Sequence, residues 1–397
     1  MTDVRVTARG AERWRRGHPW IHRTELRDEP GEPGLVRVRD QRGKLIGQAL
    51  YSPSSEIRLR LLEPSDRPVN AAWWRERVTA ALALRTGIDA TAYRVVHAEG
   101  DGLPSLIVDR YDRWLVAQLL SAGLETQREE VIAALVDVLR PDGVLLRHDA
   151  PARRRERLPE ETIVAYGAVP QWIEVREGSI RYLAAPWNGQ KTGAFLDQRE
   201  NRRLAATFTP QGARSLDCFA YHGSFALHLA TRSTEVVALD SSAEALERGA
   251  ANARLNGFAN IVWREGDAFQ TLRAFERARE RFDTIVLDPP PFAKTRSAVP
   301  QALRGYHEIN LRAMRLLAPG GHLLTASCSF HVHRPEFLAM LAAAATDSGR
   351  SLTLEATLGQ ARDHPEILTI PETGYLKGAL VRAGGGPPLS VDMNRAS

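Results

Sequence analysis

The chain has 397 residues, more than a single domain of typical size, and 43% of them are hydrophobic and 25% charged, as in ordinary globular proteins. No apolar run approaches the roughly 20 residues that a membrane-spanning helix needs, and the amino-terminal segment lacks an apolar signal core. Two cysteines, Cys218 and Cys328, are too few for a disulfide framework or a tetrahedral thiolate metal site. We therefore predict a cytoplasmic protein that does not act at a membrane and has no metal centre.

The net charge of +5 is unevenly distributed along the chain. Residues 1–70 contain 14 Lys and Arg against 10 Asp and Glu, and a second basic cluster, PARRRER, spans Pro151–Arg157. Basic clusters suit a nucleic-acid phosphate backbone, whose binding releases counterions. A solvated surface in an arginine-rich protein would have the same composition, so charge alone leaves both interpretations open.

The first 66 residues are predicted to form a small β-barrel or sandwich. Three stretches nearly alternate apolar and polar residues, with Gly or Pro between them: GLVRVRD (34–40), KLIGQALY (44–51) and EIRLRLLE (56–63). The segment PSDRP that follows is typical of a linker. This boundary predicts a first domain over residues 1–66.

Residues 67–185 are predicted to form a small α+β domain. The segment VNAAWWRERVTAALALRTG has apolar residues at helical spacing and ends at Gly87, a common helix terminator. Strand-like stretches on either side of a Gly-rich turn, a helix over Glu125–Arg140 and further strands follow it. Trp73 and Trp74 on the first helix are predicted to be core residues rather than a platform for stacking bases.

From residue 186 onward, strand-like and helix-like segments alternate. Strands end successively at LDCFA, VVALD, IVWRE, TIVLD and LLTAS, with an amphipathic helical segment after each of them, and TLEATLGQ follows as the final strand. This alternation predicts a parallel, doubly wound α/β sheet over residues 186–397.

Acidic residues follow the first three strands of this predicted sheet: Asp217, Asp240 and Asp267. Ligands of open α/β sheets bind outside the carboxyl ends of the strands. The first turn contains Gly223 but lacks the G-x-G-x-x-G spacing of a dinucleotide site. Asp217 therefore suits an ammonium group or a water that holds one, and Gly223 is expected to keep the backbone close to the cofactor. Asp240 is placed to accept from ribose hydroxyls, and Asp267 to accept from the exocyclic amine of adenine. Each acid alone is typical of a strand-end cap, but their succession in one sheet favours a cofactor site.

The fourth strand ends in the Pro-rich loop DPPPF, Asp288–Phe292. Prolines cannot continue a central ladder, so the chain leaves the sheet there along a rigid, extended path. Such a loop presents Asp288 and nearby carbonyl groups to a planar base, with Phe292 available to stack on it. The alternative is a rigid loop end without a ligand.

These segments resemble class I S-adenosylmethionine-dependent methyltransferases, in which LDCFAYHGSF, VVALDSS, EGDAF and LDPPPF occur in this order. Four further stretches resemble the RlmI-type ribosomal RNA large-subunit methyltransferases, which methylate C5 of a cytosine: Gly17–Leu26, Glu99–Asp112, Asn188–Arg202 and Asp363–Val381. The resemblance covers nearly the whole chain.

The resemblance implies three domains and their ligands. Residues 1–66 would be a PUA domain, an RNA-binding fold, residues 67–185 a small α+β (EEHEE-like) domain, and residues 186–397 a Rossmann-like class I methyltransferase domain. S-adenosylmethionine would be the cofactor and large-subunit ribosomal RNA the partner, while a homodimer is left open. The resemblance also implies that Gln198 lies near the cofactor, although a polar residue entering a helix is often only a cap.

Cys328 is the candidate nucleophile. C5 of cytosine is a poor nucleophile, and a thiolate that adds at C6 makes the ring enamine-like, so that C5 can attack a methyl group. Cys328 follows a predicted strand of the same sheet, the Pro-rich loop contains no cysteine, and Cys218 lies in an apolar strand end that suits core packing. The resemblance likewise implies that the nucleophile is on this later strand.

The rest of the substrate site is predicted at the Pro-rich loop. Asp288 is the candidate for bonding N3 of the base as well as for contacting the cofactor, and the candidate substrate contacts are Pro289, Pro290, Phe292 and Lys294. The loop also resembles that of enzymes that methylate exocyclic nitrogens, and related domains act on guanine without a thiol. A second alternative, a non-catalytic RNA-binding assembly factor, is disfavoured by the complete series of acids.

Overall fold

The computed structural model describes residues 1–384, and the chain forms two compact units. Unit 1 comprises residues 1–179, 183–197 and 362–374, and unit 2 comprises residues 180–182, 198–361 and the chain from residue 375. Residues 385–397 of the predicted third domain lie outside the described residues. The boundaries at residues 66 and 185 stay predictions. Within residues 1–384, no helix is long and apolar enough to cross a membrane.

The first sheet of unit 1 has five strands in the order β1-β3-β4-β5-β2. Its elements are β1 (Thr2–Arg5), α1 (Ala8–Arg15), β2 (Trp20–His22), β3 (Gly34–Arg39), β4 (Leu45–Tyr51) and β5 (Ile57–Glu63). The three strands predicted from alternation are confirmed as β3, β4 and β5. The short β1 and β2 were not predicted, because three or four residues with charged neighbours give no clear alternation.

The second sheet of unit 1 also has five strands, in the order β10-β9-β8-β7-β6. Its elements are α2 (Ala71–Ala83), β6 (Ala92–His97), β7 (Leu106–Tyr111), β8 (Trp114–Leu119), α3 (Ala122–Glu125), α4 (Arg128–Leu139), β9 (Gly143–Arg147), α5 (Pro151–Arg155) and β10 (Thr162–Gly167). Strands β11 (Ile173–Glu177) and β12 (Ile180–Ala184) follow, and the division between the units runs through β12. Trp73 and Trp74 are fully buried with their rings 5.0 Å apart, which confirms their core role.

The basic cluster PARRRER contains arginines that hold the fold together. Arg153 is fully buried, and its Nη1 donates to Glu125 at 2.8 Å while its Nε donates to the Pro159 carbonyl at 3.0 Å. The neighbouring Arg154 pairs with Glu160. Because Arg153 is buried against a carboxylate, it cannot belong to a phosphate-binding patch. Arg154 is exposed in a surface ion pair, so its role stays open.

A buried ion pair joins the edge strand β6 of the second sheet to its neighbour β7. Arg94 on β6 donates to both carboxylate oxygens of Asp109 on β7, each at 2.8 Å, and Thr192 donates to the same carboxylate. The Arg94 backbone N–H donates to Asp363 at 2.8 Å, within the same unit. The pair therefore ties together segments of unit 1 that are distant in sequence.

Replacing Asp109 with alanine is expected to lower the free energy of unfolding by about 3–5 kcal/mol, because Arg94 would keep its buried charge without this carboxylate. The matched control is Asp142→Ala, which removes a carboxylate from an exposed pair with Arg113, whose side chains are 68% and 40% exposed. That change should reduce stability by less than about 1 kcal/mol. Urea denaturation followed by circular dichroism measures both, and equal losses would contradict the assignment.

Unit 2 contains a seven-stranded sheet in the order β15-β14-β13-β16-β17-β19-β18. Its strands are β13 (Ala213–Cys218), β14 (Ser233–Asp240), β15 (Ile261–Glu265), β16 (Phe282–Leu287), β17 (Leu317–Ser327), β18 (Leu352–Leu358) and β19 (Lys377–Ala383). Its helices are α6 (Arg199–Phe208), α7 (Ser224–Ala230), α8 (Ala243–Leu255), α9 (Ala268–Arg277), α10 (Val299–Leu316) and α11 (Arg334–Ser348). Two apolar clusters pack the helices against the sheet, and the predicted doubly wound α/β architecture is confirmed.

Strand β19 corrects one detail of the predicted sheet. TLEATLGQ forms β18 but is not the last strand, because β19 follows it and inserts between β17 and β18, antiparallel to both. Strands β13 to β17 pair in parallel, so their carboxyl ends meet at one edge of the sheet. That edge carries the candidate site.

Candidate active site

The turn between β13 and α7 has a strained backbone. Phe219, Tyr221 and Gly223 all have positive φ angles, 65°, 51° and 82°. The Tyr221 N–H donates to Asp240 Oδ2 at 2.8 Å, and the Gly223 N–H donates to the Ala220 carbonyl at 2.7 Å. Non-glycine residues with positive φ persist only where surrounding bonds hold them, and they cluster at functional sites. The turn is therefore tied to the end of β14 in one conformation.

Gly223 is required in this turn by an aromatic neighbour. A Cβ at this position would lie 2.4 Å from the ring of Trp263 on β15, and a Cβ at Gly249 would lie 2.3 Å from the same ring. From the sequence, Gly223 is expected to let the backbone approach a cofactor closely. The structure supplies a different steric reason, the Trp263 ring, in addition to the positive φ angle.

Gly223→Ala is expected to lower the free energy of unfolding by about 2–4 kcal/mol, from the strain of a left-handed conformation plus the overlap with Trp263. Gly257→Ala is the matched control, since Gly257 also has a positive φ of 71° but no described atom within 4 Å of its added Cβ. That variant should lose only about 1–2 kcal/mol. Urea denaturation compares the two, and a Gly257 loss as large as that at Gly223 would remove Trp263 from the explanation.

Asp217 lies at the centre of the acidic strand ends. Its side chain is buried, Oδ2 accepts from the Ala226 N–H at 2.8 Å, and Oδ1 has no hydrogen-bond partner within residues 1–384. Burial raises the pKa of the Asp217 carboxyl well above its usual range, and the carboxyls of Asp288 and Asp240 raise it further. The guanidinium of Arg202 opposes this only in part. This edge of the sheet is therefore acidic, and a cationic ligand would relieve the repulsion among the three carboxyls.

Gln198 joins this group through Asp288. Its Nε2 donates to Asp288 Oδ1 at 2.8 Å, and its Oε1 accepts from Asn201 Nδ2 at 2.6 Å. Gln198 stands at the start of α6 but makes no side-chain capping bond there, so the simple cap alternative is wrong. Asn201, which also donates to the Gly359 carbonyl at 3.0 Å, was not predicted. Its spacing of three residues from Gln198 on a helix was the available signal.

The carboxylates of Asp240 and Asp267 accept hydrogen bonds from different backbone N–H groups. Asp240 accepts one backbone N–H at each oxygen, from Tyr221 at 2.8 Å and from Ser242 at 2.9 Å. Asp267 is exposed and caps α9, where its Oδ1 accepts from the Gln270 N–H at 2.9 Å. Each carboxylate oxygen has further lone pairs, so neither cap excludes a ligand. The ribose and adenine contacts stay predictions.

Cys328 comes directly after β17 and faces the Pro-rich loop. Its side chain is half-buried, and its Sγ lies 3.8 Å from the Pro289 carbonyl oxygen. Ser329 fixes the next position, because its Oγ accepts from the Ala293 N–H at 3.1 Å and bonds the Tyr306 hydroxyl at 2.9 Å. Cys218 is instead fully buried, and burial raises the pKa of its thiol well above the usual range, as suits a core residue. Of the two cysteines, Cys328 alone is accessible.

The predicted substrate contacts on the Pro-rich loop are not equivalent. Pro290 and Lys294 are exposed, whereas Pro289 is buried. The Phe292 ring is partly buried and stacks on Tyr306, with ring centres 4.5 Å apart, so that face is not available to a base. The prediction that the Phe292 ring is free to stack on a base therefore disagrees with this packing. Phe330, two residues after Cys328, is 51% exposed and was missed, although its place beside the cysteine was a signal.

Comparison with known proteins identifies the family of the chain. A family model described as a PUA-like domain matches residues 4–64, and one described as an S-adenosylmethionine-dependent methyltransferase matches residues 144–381. The chain belongs to this methyltransferase family. Its cofactor is S-adenosylmethionine, a molecule whose sulfonium and ammonium groups are both positively charged.

Curated relatives match the methyltransferase over almost its whole length. A protein from Aeromonas hydrophila named ribosomal RNA large subunit methyltransferase I is 40% identical, over 93% of this chain and 96% of its own. A protein of the same name from Vibrio vulnificus is 37% identical, over 91% and 94%. A solved methyltransferase from Streptococcus mutans has a TM-score of 0.81 at 18% identity, covers 96% of this chain and 100% of its own, and shows the shared fold.

Proposed function

We propose that this methyltransferase acts on RNA of the large ribosomal subunit and forms 5-methylcytidine through a transient bond from Cys328 to C6 of the cytosine. The observation that carries the proposal is the position of the Cys328 sulfur, half-buried and 3.8 Å from the Pro289 carbonyl, at the edge where the acidic strand ends meet. The assignment of large-subunit ribosomal RNA as the substrate is supported by the names of the relatives. The PUA-like match at residues 4–64 supports an RNA-binding role for that part of the chain.

The residues at the strand ends would hold the cofactor. Asp217, with its buried Oδ1, takes the ammonium group, and Asp240 takes the ribose hydroxyls. Asp267 accepts from the adenine amine, while Gln198 holds Asp288 toward the pocket. Gly223 keeps the first turn in its strained conformation. When bound, S-adenosylmethionine supplies a methyl group that is electrophilic because it is attached to a positively charged sulfur.

Cys328 activates the base by covalent addition. The thiolate forms a bond from Sγ to C6, and the electron pair of the C5–C6 double bond moves so that C5 becomes nucleophilic. C5 would then bond to the methyl carbon as the bond from that carbon to the positively charged sulfur breaks, and the electron pair of the broken bond would stay on the sulfur of the departing neutral thioether. Loss of the proton from C5 then restores the double bond and breaks the bond from Sγ to C6. Asp288 assists by sharing a proton with N3, which draws electrons through the ring during the addition.

The remaining substrate contacts follow from exposure. Pro289 and Pro290 form the rigid wall beside the base, and Lys294, exposed after the loop, contacts a phosphate. The exposed ring of Phe330 is a better candidate for stacking on a nucleotide than Phe292, whose face is covered by Tyr306. Action on ribosomal RNA is consistent with a cytoplasmic location. A homodimer stays a prediction that no observation addresses.

The proposal is tested by incubating unmodified large-subunit RNA, free or in assembled subunits, with labelled S-adenosylmethionine and analysing the nucleosides by mass spectrometry. We expect labelled 5-methylcytidine from wild-type protein and none from a matched Cys328→Ser preparation. A labelled guanosine or a cytidine methylated on nitrogen would overturn the proposed chemistry in favour of a reaction that needs no thiol. Absence of any labelled nucleoside with either substrate would overturn the proposal as a whole.

A further inference from the structure

A buried lysine lies beside the candidate nucleophile. Lys377 is the first residue of β19, and its register partner on the antiparallel strand β17 is Ser327, the residue before Cys328. Lys377 is only 5% exposed. A lysine ammonium is rarely taken out of water unless an opposite charge compensates for the lost hydration.

The contacts of Lys377 direct its ammonium to the loop that carries the cysteine. Its Nζ donates to the carbonyl of Ser329, the residue after Cys328, and to the carbonyl of Tyr375 at 3.0 Å. Two of its three N–H donors are thereby used. Within residues 1–384, no carboxylate forms an ion pair with Lys377. The two neutral carbonyls fix the position of the ammonium but carry no negative charge that would balance it.

Lys377 is paired in register with the residue before Cys328 and bonded to the residue after it, so the sulfur is the candidate counter-ion of its ammonium. Burial lowers the pKa of Lys377 to about 8, while the Cys328 thiolate raises it. Arg334 and Glu336 of α11 also face the ammonium with smaller and opposite effects. Facing the sulfur from α10 is Tyr306, whose own pKa burial raises, with the negative charge of Cys328 among the lesser causes. Since coupling between two titrating groups is reciprocal, an ammonium stabilised by a thiolate also stabilises that thiolate.

We propose that Lys377 is a positioning residue for Cys328: its buried ammonium is the counter-ion that keeps the Cys328 sulfur in the thiolate form. The same side chain holds the backbone at Ser329, so it fixes the direction of the sulfur as well as its charge. This inference rests on the proposed function in one respect, namely that Cys328 is the nucleophile of the reaction. The proposal predicts a Cys328 thiol that ionises at unusually low pH, and this property can be measured on the protein in the absence of RNA.

The test is the pH dependence of alkylation of the full-length protein by iodoacetamide, followed by intact mass. A free thiol ionises near pH 8.5, so the wild-type midpoint should lie clearly below about 8.5. Lys377→Met removes the charge while keeping the length of the side chain, and it should raise the midpoint by about one pH unit and slow alkylation at pH 7 about 10-fold. Lys377→Arg keeps the charge and should retain a midpoint near that of the wild type.

Three controls make the outcome specific. Cys328→Ser should abolish labelling, and Lys44→Met, at an exposed position of unit 1, should leave the midpoint unchanged. Cys218 is fully buried, so alkylation of a second cysteine, seen as a second added mass, would show that a variant is unfolded. If Lys377→Met unfolds in this way, the midpoint of the wild type and that of Lys377→Arg test the proposal instead. A wild-type midpoint at or above that of a free thiol, or a methionine variant with a wild-type profile, would overturn the proposal. Because no RNA is present, failure of the methylation assay would leave this result intact.

Discussion

Cys328→Ala is expected to lower kcat/KM for methylation of large-subunit RNA by about 10³-fold or more, because C5 of the cytosine then has no means of becoming nucleophilic. The sulfur is half-buried at the edge of the sheet that also carries the acidic strand ends, so the change removes one reactive atom without opening the core. Binding of S-adenosylmethionine, measured by calorimetry, should be close to wild type. Transfer of a labelled methyl group to RNA measures the loss.

Cys218→Ala is the matched control for this prediction. Cys218 is fully buried on β13, so its truncation should lower stability by about 1 kcal/mol and leave methylation near the wild-type rate. RNA containing 5-fluorocytidine provides a second measurement, because fluorine at C5 cannot leave as a proton does and the bond from sulfur to C6 should persist. We expect a covalent adduct with wild-type and Cys218→Ala proteins and none with Cys328→Ala. Full activity of Cys328→Ala would favour methylation of guanine or of an exocyclic nitrogen.

Much of unit 2 was predictable because its signals are local. Buried parallel strands appear as short apolar runs. Three of these runs reach an acidic residue at or next to their carboxyl end: Asp217, Asp240, and Asp288 with the prolines after it. The parallel connection then brings these ends to one edge, so their proximity follows from topology without knowledge of any contact. The proximity of Asp217, Asp240 and Asp288 was predictable for this reason.

Other features depend on contacts between residues far apart in sequence, which no local pattern reports. Gly223 was recognised as a turn glycine, but its main steric constraint is Trp263, forty positions later. Strand β19 enters the sheet antiparallel between β17 and β18, and this placement alone sets Lys377 opposite Ser327. A lysine at the start of an apolar run normally suggests an exposed strand end. Its burial could be found only from the register of the sheet.

The Pro-rich loop contains both a feature that was correctly predicted from the sequence and one that was not. The prolines correctly predicted that the chain leaves the sheet after Asp288. The same reasoning predicted that the Phe292 ring is available to a base, because a loop residue after prolines is normally exposed. Tyr306 on α10 covers that ring instead, and the exposed aromatic side chain is Phe330 on the next strand end. Packing between a loop and a helix fourteen residues later decided which aromatic ring remained available.

Asp288→Asn is expected to lower kcat by about 10²–10⁴-fold with a much smaller change in the dissociation constant of S-adenosylmethionine. An asparagine Oδ1 can still accept from Gln198, which now donates at 2.8 Å, so the position of the side chain should be kept. The amide cannot share a proton with N3 of the base, so only the chemical step should suffer. Stopped-assay rates at saturating RNA and cofactor measure kcat, and calorimetry measures cofactor binding.

The matched control for Asp288 is Asp283→Asn, the same substitution near the other end of strand β16, where the carboxylate accepts from the Arg214 N–H at 2.8 Å. Its kcat should stay within about twofold of wild type, since no reacting atom is near. Asp288→Ala separates the two tasks of the carboxyl, because it also removes the acceptor of Gln198 and should weaken cofactor binding in addition to kcat. Equal kcat for Asp288→Asn and wild type would assign Asp288 to the cofactor alone, and the group that bonds N3 would then have to come from outside the Pro-rich loop.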